Sequence, residues 1–376
     1  DFNFINYDKE SVVVDNVGDV SVKRNNITSI MRKGSLSNSA ILLQGICEGV
    51  MISSNNIYVN SKVRYAYAID VPAVNPSNGR VNKRLASGLA VKDNTIIMIS
   101  TDFAEAIYND AVSDAEFANN RINISCDGDG YGIAFANVIG RISDVNVTEN
   151  EIVIHSRQMA YLIELHNVDG SMVANNTLYS DCNGSYAIGA FKSNNISITG
   201  NEITLFAGDL ANVKYVSDAL GKGNSPIALI KNCEDVYVGE NLIYTNATNP
   251  ISVIDCAYVS NIAVGLNSYI VDEDNYDVYF NNNGLLKAGI IESGCNMFIK
   301  DIDDARLMEI NVPLNISSYG DSVSSVSLKL DEGASGSSLS DMNLVNSTIT
   351  LSGASDFLIS DCRFSSGNTN LLGIAG

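Results

Sequence analysis

Ile196-Ser197-Ile198-Thr199-Gly200-Asn201-Glu202-Ile203 is the stretch that decides the fold. Ile196 and Ile198 alternate with polar residues, so both point to one side of a strand. Asn201 is expected to centre a tight turn, because Asn tolerates the left-handed conformation and bonds its own backbone. Ile203 then points inward again. The pattern apolar-x-apolar-x-x-Asn-x-apolar occurs nine times, at Asn25, Asn55, Asn94, Asn120, Asn150, Asn176, Asn201, Asn241 and Asn267. The copies at Asn120 and Asn176 are looser. Successive steps are 30, 39, 26, 30, 26, 25, 40 and 26 residues. A floor with occasional excess is the mark of a coil that accepts inserted loops.

A second apolar stretch lies upstream of most of these Asn residues, at 40–46, 131–135, 161–165, 186–190, 226–230 and 250–254. Roughly three short strands then make one coil, and coils stack at ~4.8 Å with each strand pairing to its equivalent above and below. Stacked Asn side chains form an internal ladder. The expected fold is all-β: a single-stranded right-handed parallel β-helix with an internal Asn ladder and about twelve coils.

Composition agrees. Among 376 residues there are 46 Asn but no Trp, 5 Pro and 2 His. Asn is poor inside helices and good in turns. A hydrophobic share of 45% rules out wholesale disorder. The net charge of −20 argues against a general nucleic-acid binder. No apolar run approaches the ~18 residues of a spanning helix, so no membrane insertion is expected. No basic start leads into an apolar run, and the opening at Asp1 suggests a fragment. Seven widely spaced cysteines, Cys47, Cys126, Cys182, Cys233, Cys256, Cys295 and Cys362, read as reduced, buried small residues.

The repeat unit 196–203 resembles that of right-handed parallel β-helix proteins of the pectate-lyase-like superfamily, over about residues 18 to 305. That superfamily includes pectate lyases, polygalacturonases, epimerases and bacteriophage tailspike depolymerases. The Asn- and Ser-rich, Trp-free, acidic composition is most similar to a tailspike. The resemblance implies a homotrimer in an extracellular virion tail, whose partner is a polysaccharide of a bacterial cell surface. A secreted or cell-surface bacterial protein is the alternative.

Residues 1–17 read as a truncated lead-in, 18–305 as the β-helix, and 306–376 as a C-terminal β region of smaller or irregular coils. Two coils carry extra length, at 62–85 and 205–226. The first holds Lys62, Arg64, Arg80, Lys83 and Arg84 against the single acid Asp70, a basic wall suited to an anionic sugar. Arg80 and Arg84 are its substrate-binding candidates. The second holds Asp209, Lys214, Tyr215, Asp218 and Lys222. Either reads as a binding loop or as a solvated insertion.

A glycosidase needs two carboxyl groups ~5–9.5 Å apart, so acids on one face of neighbouring coils are the test. The catalytic candidates are Asp127, Asp129, Glu164, Asp181 and His166. Asp127 and Asp129 precede the strand at 131–135, Asp181 sits in the corresponding turn two coils on, and outward Glu164 and His166 are expected between them. Both histidines, His155 and His166, belong to this coil. The competing reading makes the Asp residues turn formers and Glu164 a solvated strand residue. Elimination beside a uronic carboxylate is the rival chemistry, with His166, Tyr161, Arg157 and Lys231 as base and neutralisers. Asp255 and Glu292 follow on later coils, Asp255 as a distant subsite. No cofactor is required. Calcium is the alternative to that reading, yet the Asp127-x-Asp129-Gly start has Val138 at position twelve, so it is no EF-hand. Asp272, Asp274 and Asp277 read as a solvated loop, with a cation site as the alternative. No His/Cys spacing supports zinc. Gly320-Asp321-Ser322 reads as a turn, since no His follows it. A non-catalytic β-helical shaft that binds glycan or only holds other parts is the second class of function.

Overall fold

Every Asn of the repeat from Asn55 to Asn267 is at most 1% exposed, and its side-chain amide hydrogen-bonds to neighbouring coils. Asn94 is representative. Its Nδ2 donates to Asn120 Oδ1 at 3.0 Å and to the Ile52 carbonyl at 2.9 Å. Its Oδ1 accepts from Asn55 N–H and Nδ2, both at 3.0 Å. Two donors and one carbonyl oxygen are satisfied with nothing left over. The same side-chain bond links Asn25 to Asn55, Asn120 to Asn150, Asn150 to Asn176, Asn176 to Asn201, and Asn241 to Asn267.

The left-handed residue is not the ladder Asn but the one before it. Arg24, Ser54, Asp93, Asn119, Glu149, Asn175 and Gly200 have φ between 51° and 64° or close to it, as do Glu240 and Leu266. The expectation that Asn itself adopts this conformation is therefore corrected. Asn is needed inside for its amide, and the strained corner falls to its neighbour. At Gly200 the corner also approaches the coil below, where a Cβ would lie 2.4 Å from Asn175 Oδ1.

This computed structural model describes residues 4–7, 11–32, 36–72, 86–110, 112–136, 142–214, 221–256, 261–303, 305–365 and 372–375. The chain forms two units: Asp1–Tyr237 with Ile251–Ala263, and Val238–Pro250 with Val264–Gly376.

The first unit is a parallel β-helix with three sheets. The first sheet contains the strands after each Asn: Asn26–Met31, Asn56–Ser61, Thr95–Ser100, Arg121–Cys126, the leading parts of Glu151–His166 and Thr177–Phe191, and Glu202–Ala207. Register stacks Ile27, Ile57, Ile96, Ile122, Ile152, Leu178 and Ile203 in one column, each at most 2% exposed. The second sheet contains Ser37–Gln44, Tyr65–Val71, Phe103–Asn109, Gly130–Ala136, the trailing parts of the two long strands, Asn224–Ile230 and Ile251–Ile254. Its inward column is Ile41, Ile69, Ile107, Ile133, Ile163, Ile188 and Ile227. The third sheet contains the short strands before each Asn and stacks Val22, Ile52, Val91, Phe117, Val147, Val173 and Ile198. Residues of the lead-in already belong to coils, since Phe4–Tyr7 pairs with Asn26–Met31 and Val12–Asp15 with Ser37–Gln44.

The outer face of the second sheet is not bare. Tyr131, Tyr161 and Tyr186 are register neighbours there. With Phe103, Met159, Phe191, Ala228 and Ile230 they make a buried apolar layer, and Val213 of the 205–226 insertion packs into it.

In the second unit, Leu242–Thr245, Ser268–Val271, Asn296–Ile299, Asn315–Ser318, Ser338–Ser340 and Leu358–Ser360 run parallel. Register partners Asn315, Ser338 and Leu358 lie 23 and then 20 residues apart, so these coils are shorter. Beyond Asn267, small residues replace the Asn ladder. Ser324 Oγ accepts from Ile302 N–H at 3.2 Å. Cys362 Sγ donates to the Leu339 and Ser360 carbonyls, as a ladder amide would. Ser322 N–H bonds to Tyr319 O, which makes 319–322 a turn. All seven cysteines are free thiols, five of them buried.

Candidate active site

The acids that matter sit where the first sheet turns into the second. Thr95–Ser100 runs into Thr101 and Asp102, and the next coil's Arg121–Cys126 runs into Asp127, Gly128 and Asp129. Ser100, Cys126, Ser156 and Cys182 are register partners along this corner, so the turns that follow them are stacked. Gly128 allows two turns to touch. A Cβ there would lie 2.8 Å from the Asp102 carbonyl carbon and 2.9 Å from Phe103 N, and its own N–H bonds to Asp102 O.

Two open grooves meet at Asp127. The first, of about 460 Å³, is lined by Ser100, Thr101, Asp127, His155, Arg157 and Asp181 with their neighbours. Arg157 Nε lies 3.2 Å from Asp127 Oδ1. His155 and Asp181 face each other across adjacent coils, and the His155 ring lies 5.7 Å from that of Tyr179. The second groove, of about 410 Å³, is lined by Arg64, Asp102, Asp127, Asp129, Gln158 and Lys214 among others. Desolvation pushes the Asp102 carboxyl above its ordinary range, while the Arg64 guanidinium and the Phe103 N–H draw it back down. One coil of stacking, ~4.8 Å, separates the backbones that carry Asp102 and Asp127. Asp127 N–H bonds to Ser100 O and Gly128 N–H to Asp102 O, so the two acids sit on adjoining turns, one residue out of register.

The predicted residues divide. Asp127, Asp181 and Arg157 line the first groove, and Asp127 and Asp129 line the second. Asp129 is 1% exposed and accepts from Met159 N–H at 3.1 Å, so it fastens the corner. Glu164 lines neither groove. It is 3% exposed, between Ala134 and Gly189 on the second sheet, and it is not the solvated residue of the competing reading. Tyr161 is fully buried, stacked 4.8 Å from Tyr131, and its hydroxyl donates to Gly221 O. His166 packs edge-on against Phe191 at 4.6 Å, and Lys231 Nζ lies 5.4 Å from the same ring. Asp255 is a left-handed corner residue with φ 54°. Arg80 and Arg84 lie outside the described residues, as do Lys83, Tyr215 and Asp218.

Sequence reasoning missed Asp102 and gave His155 no role. The signal for Asp102 was present: it follows Asn94 by nearly the same offset at which Asp127 follows Asn120. It also missed a buried group on the second sheet. Asp70, Glu105 and Asp110 are each 7–8% exposed. Ser39 Oγ donates to Asp70 Oδ2 at 2.7 Å, and Tyr108 OH to Asp110 Oδ1 at 2.8 Å. Burial, reinforced by these acids, pushes the phenols of Tyr67 and Tyr108 far up. Glu105 inside the apolar run 103–107 was the sign.

Among the described residues, no group of three or more His, Cys, Asp or Glu is gathered to hold a metal ion. Asp272 Oδ1 instead accepts from the N–H groups of Asp274 and Asn275, and Tyr244 OH donates to Oδ2. No helix among them is long and apolar enough to cross a membrane. No protein-family model, no curated protein and no solved structure matches the chain.

Proposed function

We propose that the protein recognises and cleaves a bacterial surface polysaccharide, capsule or O-antigen, as a tailspike-type glycoside hydrolase with paired carboxylates on the β-helix face. The observation that carries this reading is the position of Asp127, shared by both grooves, with Asp102 on the neighbouring coil. Asp102, its carboxyl pushed up by desolvation, is suited to protonate the glycosidic oxygen. Asp127, held by Arg157, supplies the carboxylate that attacks the anomeric carbon or activates water. Grooves on either side of Asp127 give room for sugars on both sides of the bond. Assembly as a homotrimer in a virion tail, or display as a secreted or cell-surface protein, belongs to the same reading.

Elimination is the second reading, and one observation favours it. His155 is exposed in the first groove beside Arg157, so a base and a cation to neutralise a uronic carboxylate are together. Incubation with purified capsular and O-antigen polysaccharides separates the readings. Reducing ends without ultraviolet absorbance from an unsaturated uronate mean hydrolysis. Both signals together mean elimination. A polysaccharide that binds and yields neither signal assigns the protein to the non-catalytic class.

A further inference from the structure

At the far end of the second sheet, two ammonium groups converge on one ring. Lys192 Nζ lies 5.2 Å and Lys231 Nζ 5.4 Å from the centre of Phe191, so they are at most 10.6 Å apart. The ring is 5% exposed, and both lysines are exposed. The His166 ring meets the edge of Phe191. Among the described residues neither lysine has a carboxylate within ion-pair distance, while Lys92, Arg121, Arg157 and Lys329 each do. Asp255, on the adjoining corner reached by the bond from Lys231 N–H to Ile254 O, makes no such pair with Lys231.

The backbone adds an independent argument. Lys192 and Lys231 have φ of 51° and 52°. Asn167 and Asp255 hold equivalent corners with φ 54°. Asn and Asp account for 17 of the 25 described non-glycine residues with positive φ, and these two are the only lysines. A long cationic side chain there costs stability that Asn would not. On a chain of net charge −20, two strained cations side by side are an expense for which the fold gives no reason.

We propose that Lys192 and Lys231 over Phe191 form an anion subsite that takes an acidic substituent of a glycan, a carboxylate or a sulfate, outside the two grooves at Asp127. It rests on the glycan-binding reading but not on catalysis. Each ammonium donates to the anion, and the Phe191 ring fixes where both heads lie. The subsite anchors a chain that is processed elsewhere, so it acts on KM and not on kcat.

The test uses the whole chain with polygalacturonate, a heparin oligosaccharide and neutral dextran as probes, followed by calorimetry at low salt. The double variant Lys192→Asn/Lys231→Asn places a better left-handed residue at both corners, so it should fold at least as stably as the parent. The proposal expects the parent to bind one or both acidic probes, dextran not at all, and the double variant to bind at least ~10-fold more weakly. Binding of both acidic probes means that a carboxylate suffices, and binding of heparin alone means a sulfate is required. Equal affinity in parent and double variant, or no binding of either acidic probe by the parent, overturns the proposal. Asp127→Asn serves as the control. It should retain the acidic probes even where turnover is lost, which separates failure of this subsite from failure of the catalytic reading.

Discussion

Two opposed influences act on the one carboxyl of Asp102. Desolvation favours the protonated form and Arg64 favours the charged form. In a hydrolase this acid must be protonated, so its ionisation closes the alkaline limb of kcat/KM. Replacing Arg64 by Gln removes the influence that lowers the pKa. The pKa then rises further, and the alkaline limb should move to higher pH. A limb that stays in place, or moves to lower pH, would remove Asp102 from the role of acid. Arg64 also lies over the Tyr65 ring at 5.2 Å, so a fluorescence melt should accompany the profile.

At the scale of the element, the ladder and the corners explain one another. Asn120 Nδ2 serves Asn150 Oδ1 and the Val91 carbonyl, and its Oδ1 serves the N–H and Nδ2 of Asn94. Asn120→Ala therefore strands the Asn94 N–H, takes a partner from Asn94 Nδ2 and from the Val91 carbonyl in a dry interior, and leaves Asn150 Oδ1 only the backbone N–H of residue 120. The expected loss is ~2–4 kcal/mol, read as a clear drop in the urea midpoint. A loss under about 1 kcal/mol would mean that the ladder is ornamental. The apolar columns and the ladder were legible because each repeats along the chain in a fixed order. The left-handed corner was not, since Asn119-Asn120 and Asn175-Asn176 put two plausible residues side by side. The sequence cannot say which faces inward. Glu164 was misjudged for another reason. Strand alternation correctly sent Ile163 and Leu165 to the interior, but a strand's outer face is exposed only if nothing covers it. Here an aromatic layer and Val213 from a residue-distant insertion form a second core. A register shift between Ser156 and Met159 in the same long strand also separates the groove residues His155 and Arg157 from Glu164.

For the molecule as a whole, a stack of coils turns sequence distance into a short, regular spacing. Asp102, Asp127, His155 and Asp181 are far apart along the chain, yet Asp102 and Asp127 fall in stacked turns of one edge, and His155 and Asp181 on the strands, just before that edge. Acidic groups dominate the surface charge, while Arg64, Arg157 and Lys214 are found at the two grooves. Asp102, Asp127, Asp129 and Asp181 line the same grooves, so charge there is close to balanced although the chain as a whole is strongly acidic. Beyond Asn267 the shorter, Ser-lined coils use hydroxyls and thiols where the preceding coils use amides, so repeat length and ladder chemistry change together. In the proposed function, cleavage occurs at the corner shared by the two grooves. The most direct test is steady-state turnover of a cleaved polysaccharide by Asp127→Asn beside the parent protein, with binding of the same polysaccharide measured in parallel. The account predicts a fall in kcat of at least ~100-fold with binding retained. Undiminished kcat in Asp127→Asn would contradict it.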